Sequence, residues 1–432
     1  MAEKFDCVII GAGPAGLTAA LILARSGMSV VVVERGQYPG SKNMFGGVLY
    51  CRELNEIIPE FWEKAPVERP VMHWNASFLR GGSKISLNYE NLQYNMPPYN
   101  AFTVLRARFD QWYADVVQEA GAVLVTETLV EDLLYENNKI VGVRTGRDNG
   151  EIIADVVVAA DGVNTIVRRK AELLGELCED ETYLGVKEIL SISEKALKKN
   201  FNLSDNEGAA HLYIGDVTDN VPGGAFIYTN KDSISVGIVV NLAYLVRSRL
   251  NTPDLLEKFK RHPLVQPYVK DSEPSEYLAH LIPEPKFCSK NNFYADGLLI
   301  TGDAAGFTLN TGLRLEGANP AITSGRAAAE AIIKAAGQGG YTAKNLHLYH
   351  EYLEKYGLLE DLKKFRHAPD FFKNRRLYKE YPELTNGLAE GLFSVEPGSR
   401  KGIGTVFRER INGRLSRTRI LKDVYSAWRA LG

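Results

Sequence analysis

Several features are missing from this 432-residue sequence, and each absence excludes a class of protein. Its four cysteines lie more than forty residues apart, without a CxxC pair, which excludes a local zinc knuckle and a local iron–sulfur loop. No run of eighteen apolar residues occurs, so no transmembrane helix is predicted. The formal charge of −2 gives no reason to expect nucleic acid as a partner. No GxSxG motif or other evident nucleophile is present, and we name no catalytic acid, base or nucleophile.

The first residues and the isolated thiols indicate a cellular compartment. The start, MAEKFDCVIIGAG, carries acidic residues at positions 3 and 6 and enters a strand at once, unlike a secretory signal peptide. Scattered cysteines are typical of a reducing compartment. We therefore expect a cytoplasmic protein, unless it rests on a membrane surface.

The N-terminal segment predicts a dinucleotide-binding unit. An apolar strand over 5–10 leads into Gly11-Ala-Gly13-Pro14-Ala15-Gly16, a helical pattern follows, and a second strand ends at Glu34. Gly11 makes the tight turn, Gly13 lets backbone approach a pyrophosphate, and Gly16 permits close helix–strand packing. The helix N-terminus favours phosphate, and Glu34 is placed to accept ribose hydroxyls. An acid at this position favours FAD or NAD over NADP.

Two distant stretches select FAD. One strand ends at Asp161-Gly162, and another, within LLITGDAAGF, ends at Gly302-Asp303 before a long helix of small residues. Together with GAGPAG, these motifs resemble FAD enzymes of the para-hydroxybenzoate hydroxylase and prenyl reductase type. The resemblance implies that Asp303 bonds a hydroxyl of FAD and that Arg106, on a helix within 104–125, reaches the cofactor. The cofactor-binding residues implied in all are Gly11, Gly13, Pro14, Ala15, Gly16, Glu34, Arg35, Lys42, Gly46, Gly47, Arg106, Val130, Asp161, Gly162, Gly302, Asp303, Gly306, Gly317, Ala318 and Asn319.

A closer resemblance extends over nearly the whole chain. ERGQYPGSKNMFGGVLY, GVKEIL, GGAFIYTNKDSISVGIVV, AHLIPE and YPELTNGLAEGLFSV are similar to the FixC branch of electron-transfer-flavoprotein–quinone oxidoreductases. The resemblance implies an FAD subunit that accepts electrons from a two-subunit electron-transfer flavoprotein and passes them towards quinone, in some systems by electron bifurcation. Relatives with a fused [4Fe–4S] module carry clustered cysteines, which are absent after Cys288 here. We therefore expect any cluster to lie on a separate ferredoxin-like subunit.

Two other readings remain open. The first is a stand-alone NAD(P)H-dependent flavin reductase or hydroxylase acting on a prenyl or aromatic substrate. The second is an interaction subunit that FAD stabilises and that passes no electrons. Direct reduction by NAD(P)H distinguishes the first, and pathway activity without flavin distinguishes the second.

These placements predict an α/β (α+β) chain built from a Rossmann-type FAD-binding domain, an inserted antiparallel sheet domain and a helical C-terminal region. We expect the FAD domain over 1–75, 101–175 and 290–345. The substrate or quinone domain then covers 76–100 and 176–289, and the helical region covers 346–432. In the sheet domain, SISVGIVVNL alternates as a strand does, and NKDS fits a hairpin turn.

Three local features have open interpretations. Residues 400–432 hold nine Lys/Arg and two acids, a net charge of +7 that leaves −9 for the rest; a solvated helix face, docking to an acidic partner and contact with anionic lipid all fit. The aromatic loop 94–102 fits either a domain junction or a membrane contact. His347 and His350 favour a surface pair over a metal site, and we assign no metal.

Overall fold

The computed structural model describes residues 3–42, 47–171, 173, 177–284, 292–312, 314–395, 397, 402–411 and 416–431. Its strands are β1 Glu3–Ile10, β2 Val30–Val33, β3 Val48–Tyr50, β4 Val67–Arg80, β5 Ser83–Glu90, β6 Ala101–Val104, β7 Val123–Val125, β8 Val130–Glu136, β9 Lys139–Thr145, β10 Glu151–Ala159, β11 Thr182–Ser191, β12 Gly208–Gly215, β13 Gly223–Thr229, β14 Ser233–Asn241, β15 Glu273–Pro283, β16 Tyr294–Ala295, β17 Leu298–Ile300, β18 Leu309–Asn310 and β19 Leu315–Glu316.

Its helices are α1 Pro14–Arg25, α2 Cys51–Ile57, α3 Arg106–Glu119, α4 Ile166–Lys170, α5 Glu194–Phe201, α6 Leu242–Ser248, α7 Thr252–Arg261, α8 Gln266–Val269, α9 Ala318–Ala336, α10 Ala343–Leu346, α11 Leu348–Lys355, α12 Leu358–Lys364, α13 Ala368–Phe372, α14 Glu380–Phe393, α15 Ile403–Ile411 and α16 Arg417–Leu431. A short 3-10 turn spans Gly302–Ala305.

An eight-stranded sheet carries the dinucleotide-binding unit. Its path is β16-β17-β10-β1-β2-β7, and β17, β10, β1, β2 and β7 are parallel. Strands β2 and β17 and the C-terminal halves of β1 and β10 are apolar and almost fully buried, as parallel strands covered on both faces must be, whereas β7 at the edge is partly exposed. The carboxyl ends of β1, β2, β10 and β17 therefore meet at one edge, where open α/β sheets bind ligands.

Helices α1, α3 and α9 pack together beside this sheet. Small residues allow α9 to cross α1 closely: a Cβ built on Gly325 would lie 2.3 Å from the Ala15 carbonyl oxygen. Helix α11 is tied to the sheet because the Tyr349 hydroxyl donates to the Ile300 carbonyl at 3.0 Å. The small-residue helix predicted after Asp303 therefore provides a packing surface for α1 and α11.

A second, nine-stranded sheet holds the rest of the β structure, in the order β15-β11-β14-β13-β12-β4-β6-β3, with β5 added on β4. Neighbours are antiparallel except for β12 and β4. The predicted strand over SISVGIVVNL is β14, and Asn230–Asp232 form the turn between β13 and β14. The predicted domain boundary at residue 75 falls inside β4.

The mixed α/β class is confirmed, with helices predominating after residue 346. Helices α14 and α15 pack on each other, and α16 packs on α13. Lys373 fastens this region to the second sheet, because its Nζ lies 2.8 Å from a Glu284 carboxylate oxygen and 2.6 Å from the Asp180 carbonyl.

Candidate functional site

One cavity gathers most of the residues predicted to bind the cofactor. It lies at the carboxyl ends of the parallel strands, and fifteen predicted residues line it: Gly11, Gly13, Pro14, Ala15, Glu34, Arg35, Lys42, Arg106, Val130, Asp161, Gly162, Gly302, Asp303, Gly317 and Ala318. These positions come from six separate stretches of sequence: 11–15, 34–42, 106, 130, 161–162 and 302–318. The three motifs therefore converge on one cavity, as the sequence predicted.

The turn after β1 has room for backbone only. Gly11 has a φ of +101°, and a Cβ built on it would lie 2.4 Å from the Ala160 carbonyl oxygen. Gly16 does not line the cavity; a Cβ there would lie 2.0 Å from the Gly11 carbonyl oxygen. The first glycine therefore makes the turn and the third permits close packing, as the motif predicts.

Two helix N-termini border the cavity. Helix α1 begins at Pro14 behind Gly13, α9 begins at Ala318 behind Gly317, and neither N-cap residue supplies a side-chain hydrogen bond. The first N–H groups of a helix have no intrahelical partner and carry partial positive charge. Both ends therefore favour anionic or electron-rich groups of a ligand.

Glu34 holds the loop that follows it. One carboxylate oxygen accepts from the Ala12 N–H at 2.9 Å, and the other accepts from the Gly36 N–H at 2.6 Å. The carboxylate thus links the glycine-rich turn to the end of β2 while lining the cavity. Its position agrees with the predicted acid at the end of the second strand.

Asp303 stands in the first turn after β17, half-buried at the cavity wall. A Cβ built on Gly317 would lie 3.6 Å from its Oδ1, and His280 Nε2 lies 3.9 Å from its Oδ2. Gly302, just before it, has a φ of +61° and donates its N–H to the Ser324 hydroxyl at 3.1 Å. The Gly-Asp pair therefore fixes the carboxylate between β17 and the start of α9.

Buried polar atoms at the cavity fit a ligand rich in hydroxyl groups. Asp161 Oδ1 and Thr308 Oγ1 belong to residues that line it, and neither has a hydrogen-bond partner among the described residues. Burial raises the pKa of Asp161, although the Thr165 hydroxyl and the Ile166 N–H both bond its carboxylate. A ribose or ribityl chain offers the missing partners, so the residues present fit FAD.

Arg106 is already engaged within the protein. Its Nε and Nη2 donate to the two carboxylate oxygens of Asp110 at 2.7 and 2.6 Å, and both side chains are buried. The guanidinium still lines the cavity, and Asp303 lies near enough to favour its charge. The structure therefore shows Arg106 as a positive wall of the cavity whose orientation Asp110 fixes.

The remaining predicted residues that the structure describes lie outside this cavity. Gly47 lines a small neighbouring cavity together with Pro14, Arg106 and Ala318. Gly306 ends the 3-10 turn at a φ of +76°. Asn319 binds the Tyr50 backbone N–H and carbonyl and also Glu53, which makes it a structural link. Gly46 lies outside the described residues, as does Cys288.

Sequence reasoning missed thirteen residues of the cavity wall, among them His280, Ile282, Thr308 and Leu315. His280 and Ile282 belong to the AHLIPE stretch and reach the cavity because β15 pairs with β11, His280 opposite Gly185. No local pattern predicts that pairing. Thr308 and Leu315 follow the Gly-Asp motif closely, and this closeness in sequence was the only indication that they would reach the cavity.

A polar cleft of about 820 Å³ adjoins the site and is lined mainly by the loop after β2, the start of α3, and strands β11 and β15. Arg106 lines both spaces, and Lys187 of β11, which is 3% exposed, lines the cleft. Burial lowers the pKa of Lys187 to about 7, against the raising effect of Glu276. Two buried basic side chains, Arg106 and Lys187, therefore line this cleft.

Comparisons with known proteins agree with this geometry. Residues 6–167 match the model of FAD-dependent oxidoreductases, residues 183–282 the model described as ETF-QO, ubiquinone-binding, and residues 368–432 the ETF-QO/FixC family C-terminal domain. The probable electron transfer flavoprotein-quinone oxidoreductase YdiS of Escherichia coli K12 is 38% identical over 394 residues, 91% of each chain. Protein FixC of Bradyrhizobium diazoefficiens is 39% identical over 399 residues, again 91% of each chain.

Solved structures support the fold. A geranylgeranyl bacteriochlorophyll reductase-like protein from Thermoplasma acidophilum has a TM-score of 0.73 at 18% identity, with 98% of this chain and 99% of that one covered. The flavin-dependent brominase Bmp2 has a TM-score of 0.64 at 18% identity, with 99% and 100% covered. The predicted FAD cofactor and oxidoreductase class are confirmed, and the chain belongs to the ETF-QO/FixC family of FAD-dependent oxidoreductases.

Proposed function

We propose that this protein accepts electrons from a two-subunit electron-transfer flavoprotein and passes them through FAD to a quinone. The observation that carries the proposal is where the ubiquinone-binding match falls. That match covers 183–282, and His280 and Ile282 of this segment line the same cavity as the glycine-rich turn. A quinone held by this segment would therefore lie beside the cofactor.

The chain's own residues supply binding and electrostatics. When bound, FAD supplies the electron-transfer chemistry, because a flavin exchanges both one and two electrons. Helix α1, with twelve residues, and helix α9, with nineteen, both begin at the cavity. Arg106 adds a buried positive charge. Positive ends and a cation favour electron-rich states of whatever occupies the site.

The partners follow from the same proposal. Names of the relatives point to an electron transfer flavoprotein and quinone, and we extend both to this chain. Among the described residues, no group of three or more His, Cys, Asp or Glu side chains is arranged to hold a metal ion. We therefore propose that a [4Fe–4S] cluster, where one takes part, lies on a separate ferredoxin-like subunit and that this chain forms the quinone branch of a bifurcating complex.

We also propose that the protein works at the cytoplasmic face of a membrane, because long-chain quinones stay in lipid. No described helix is both long and apolar enough to span a bilayer. Contact with the membrane is therefore proposed as peripheral.

Anaerobic rapid mixing tests the electron donor. Oxidised protein is mixed with a reduced two-subunit electron-transfer flavoprotein, or with NADH or NADPH alone, and the loss of oxidised flavin absorbance is followed. The proposal predicts fast reduction by the flavoprotein and negligible reduction by the nucleotides. Fast reduction by NADH or NADPH alone would instead identify a stand-alone reductase or hydroxylase.

A further inference from the structure

The last helix, α16, carries its apolar residues on the side that faces solvent. Leu421, Val424, Tyr425 and Trp428 are 68%, 59%, 56% and 68% exposed, and Leu431 is 48% exposed. Spacings of three, four and seven residues place these side chains on one face of a helix. We call these five residues the α16 stripe. A surface helix of a globular protein normally turns such a stripe inward.

Polar contacts hold α16 in this orientation. Asp423 is 5% exposed on the opposite face, where Arg376 donates to its two carboxylate oxygens at 2.6 and 2.5 Å. The Tyr381 hydroxyl donates to Asp423 at 2.8 Å, and Ala430 on the same face is fully buried. Turning the stripe inward would break these contacts and expose Ala430 in exchange. The outward stripe is therefore built into the docking of the helix.

Positive charge accompanies the stripe. Lys422 and Arg429 are both exposed on α16, on the side of the helix next to the face that carries Trp428. Arg429 Nη2 lies 2.9 Å from His367 Nε2, which leaves the guanidinium at the surface. The segment 400–432 carries a net charge of +7 while the rest of the chain carries −9. The positive charge is thus concentrated in the C-terminal segment that contains α16.

The α16 stripe ends beside the loop that borders the FAD cavity. A Cβ built on Gly312 would lie 2.6 Å from Leu431 Cδ2 and 3.0 Å from the Phe372 ring. Gly312 lies in the hairpin of β18 and β19, and Leu315 of that hairpin lines the cavity. The end of the α16 stripe therefore contacts a hairpin that also contributes a residue to the wall of the cofactor site.

We propose that the α16 stripe lies in the headgroup region of an anionic lipid bilayer, with α16 parallel to the membrane plane. A helix with a Leu, Val, Tyr and Trp face flanked by cations matches the composition of interfacial helices. Tyr and Trp favour the boundary between lipid and water. The basic segment is attracted to anionic headgroups and the acidic remainder is repelled, which orients this end towards the lipid.

The inference deepens the proposed function, because it names the surface through which a lipid-soluble quinone would approach. It does not need that function to be correct, since lipid contact is measurable without quinone. The whole chain is used, loaded with FAD. Vesicles of phosphatidylcholine, with or without phosphatidylglycerol and free of quinone, are the probe.

Co-sedimentation with vesicles is compared for wild type, Val424→Asp and a matched control, Val246→Asp. Val246 lies on α6, which follows β14 of the second sheet, and is 55% exposed. Both substitutions therefore place a carboxylate at an exposed helix position. Wild type and Val246→Asp are expected to bind the anionic vesicles. Val424→Asp is expected to bind at least tenfold more weakly, with its FAD content unchanged.

Brominated lipids provide a second reading that does not depend on affinity. Their quenching of tryptophan fluorescence is expected in wild type and is expected to be lost in Trp428→Phe, which keeps an apolar ring. Failure of wild type to bind vesicles, or equal binding by Val424→Asp and Val246→Asp, would overturn the proposal. Normal vesicle binding by Val424→Asp together with loss of a co-purifying acidic subunit would overturn it too, in favour of a protein-docking surface.

The outcomes separate this inference from the proposed function. Reoxidation of the reduced protein by a water-soluble, short-chain quinone tests the function without any membrane. Vesicle binding without quinone activity leaves the lipid surface standing and removes the function. Quinone activity without vesicle binding does the opposite.

Discussion

Replacement of Asp110 by Asn should destabilise the FAD-binding unit sharply. Asp110 is fully buried, and it accepts both hydrogen bonds of the Arg106 fork at 2.7 and 2.6 Å. Arg106 occupies the first turn of α3, where the helix dipole disfavours a cation, so the carboxylate offsets an unfavourable position. Asn keeps the shape of the side chain and removes its charge. The guanidinium is then left buried without its hydrogen-bonded counter-ion.

The expected cost is about 3–5 kcal/mol, the range for breaking one side of a buried ion pair. At roughly 2–4 °C per kcal/mol, this corresponds to a fall of roughly 6–20 °C in the midpoint of thermal unfolding. The measurement is the temperature at which FAD is released, read from the rise in flavin fluorescence. Release is chosen because Arg106 lines the FAD cavity itself.

Glu351→Gln is the matched control. Glu351 pairs with His347 at the same i,i+4 spacing, but at 3.6 Å and with side chains 62% and 54% exposed. An exposed pair contributes about 0–1 kcal/mol, so the control should release FAD near the wild-type temperature. An Asp110→Asn protein as stable as the Glu351→Gln protein would refute the reasoning, because the buried pair would then carry no more than a surface pair.

Three further predictions concern other parts of the molecule. Gly11→Ala should weaken FAD binding at least tenfold, because the φ of +101° disfavours a Cβ and the Ala160 oxygen would lie 2.4 Å from it. Gly339→Ala, with a φ of +90° and nothing within 4 Å, is the control for backbone strain alone. Equal FAD affinities of the two variants in titrations would contradict the predicted clash. The free energy of unfolding of the flavin-free protein should rise between pH 7 and pH 9 by up to about 1.4 kcal/mol per pH unit. The reason is that burial lowers the pKa of Lys187 to about 7, so that in this range the lysine is protonated in the unfolded chain and largely neutral in the folded one. The free energies come from urea titrations, and a Lys187→Met protein with the same dependence on pH would count against the prediction. Hydrogen bonds from Arg376 and Tyr381 outweigh burial and hold the pKa of Asp423 below its usual value. The anchoring of α16 should therefore be complete above about pH 5 and be lost as the pH falls below about 4. Proteolysis of the C-terminus that is no faster at pH 3 than at pH 6 would exclude this.

The local part of the cofactor site was predictable because its signals are short-range. A strand, a glycine-rich turn and a helix follow one another within residues 5–25, and the turn itself dictates which positions have no room for a Cβ. Asp161 and Asp303 were predictable in the same way, as acids that follow buried strands. Parallel pairing of those strands then gathers the motifs at one edge.

The non-local part of the site was not predictable from spacing. His280 reaches the cavity through the pairing of β15 with β11, and register across a sheet leaves no mark in either strand alone. Arg106 and Asp110 show an i,i+4 spacing, but burial decides whether that pair matters. The periodicity of α16 would have predicted an inward apolar face; Arg376, Tyr381 and Asp423 reverse it through contacts between distant segments.

The central claim is that electrons leave this protein for a quinone. The most direct measurement uses purified protein whose flavin has been photoreduced without oxygen. It is mixed with a short-chain quinone while the return of oxidised flavin absorbance is followed, and oxidised protein is mixed with NADH or NADPH in parallel. Rapid return of the absorbance with quinone, and no bleaching by either nucleotide, is the predicted result. Indifference to quinone together with rapid bleaching by NADH or NADPH would contradict the account.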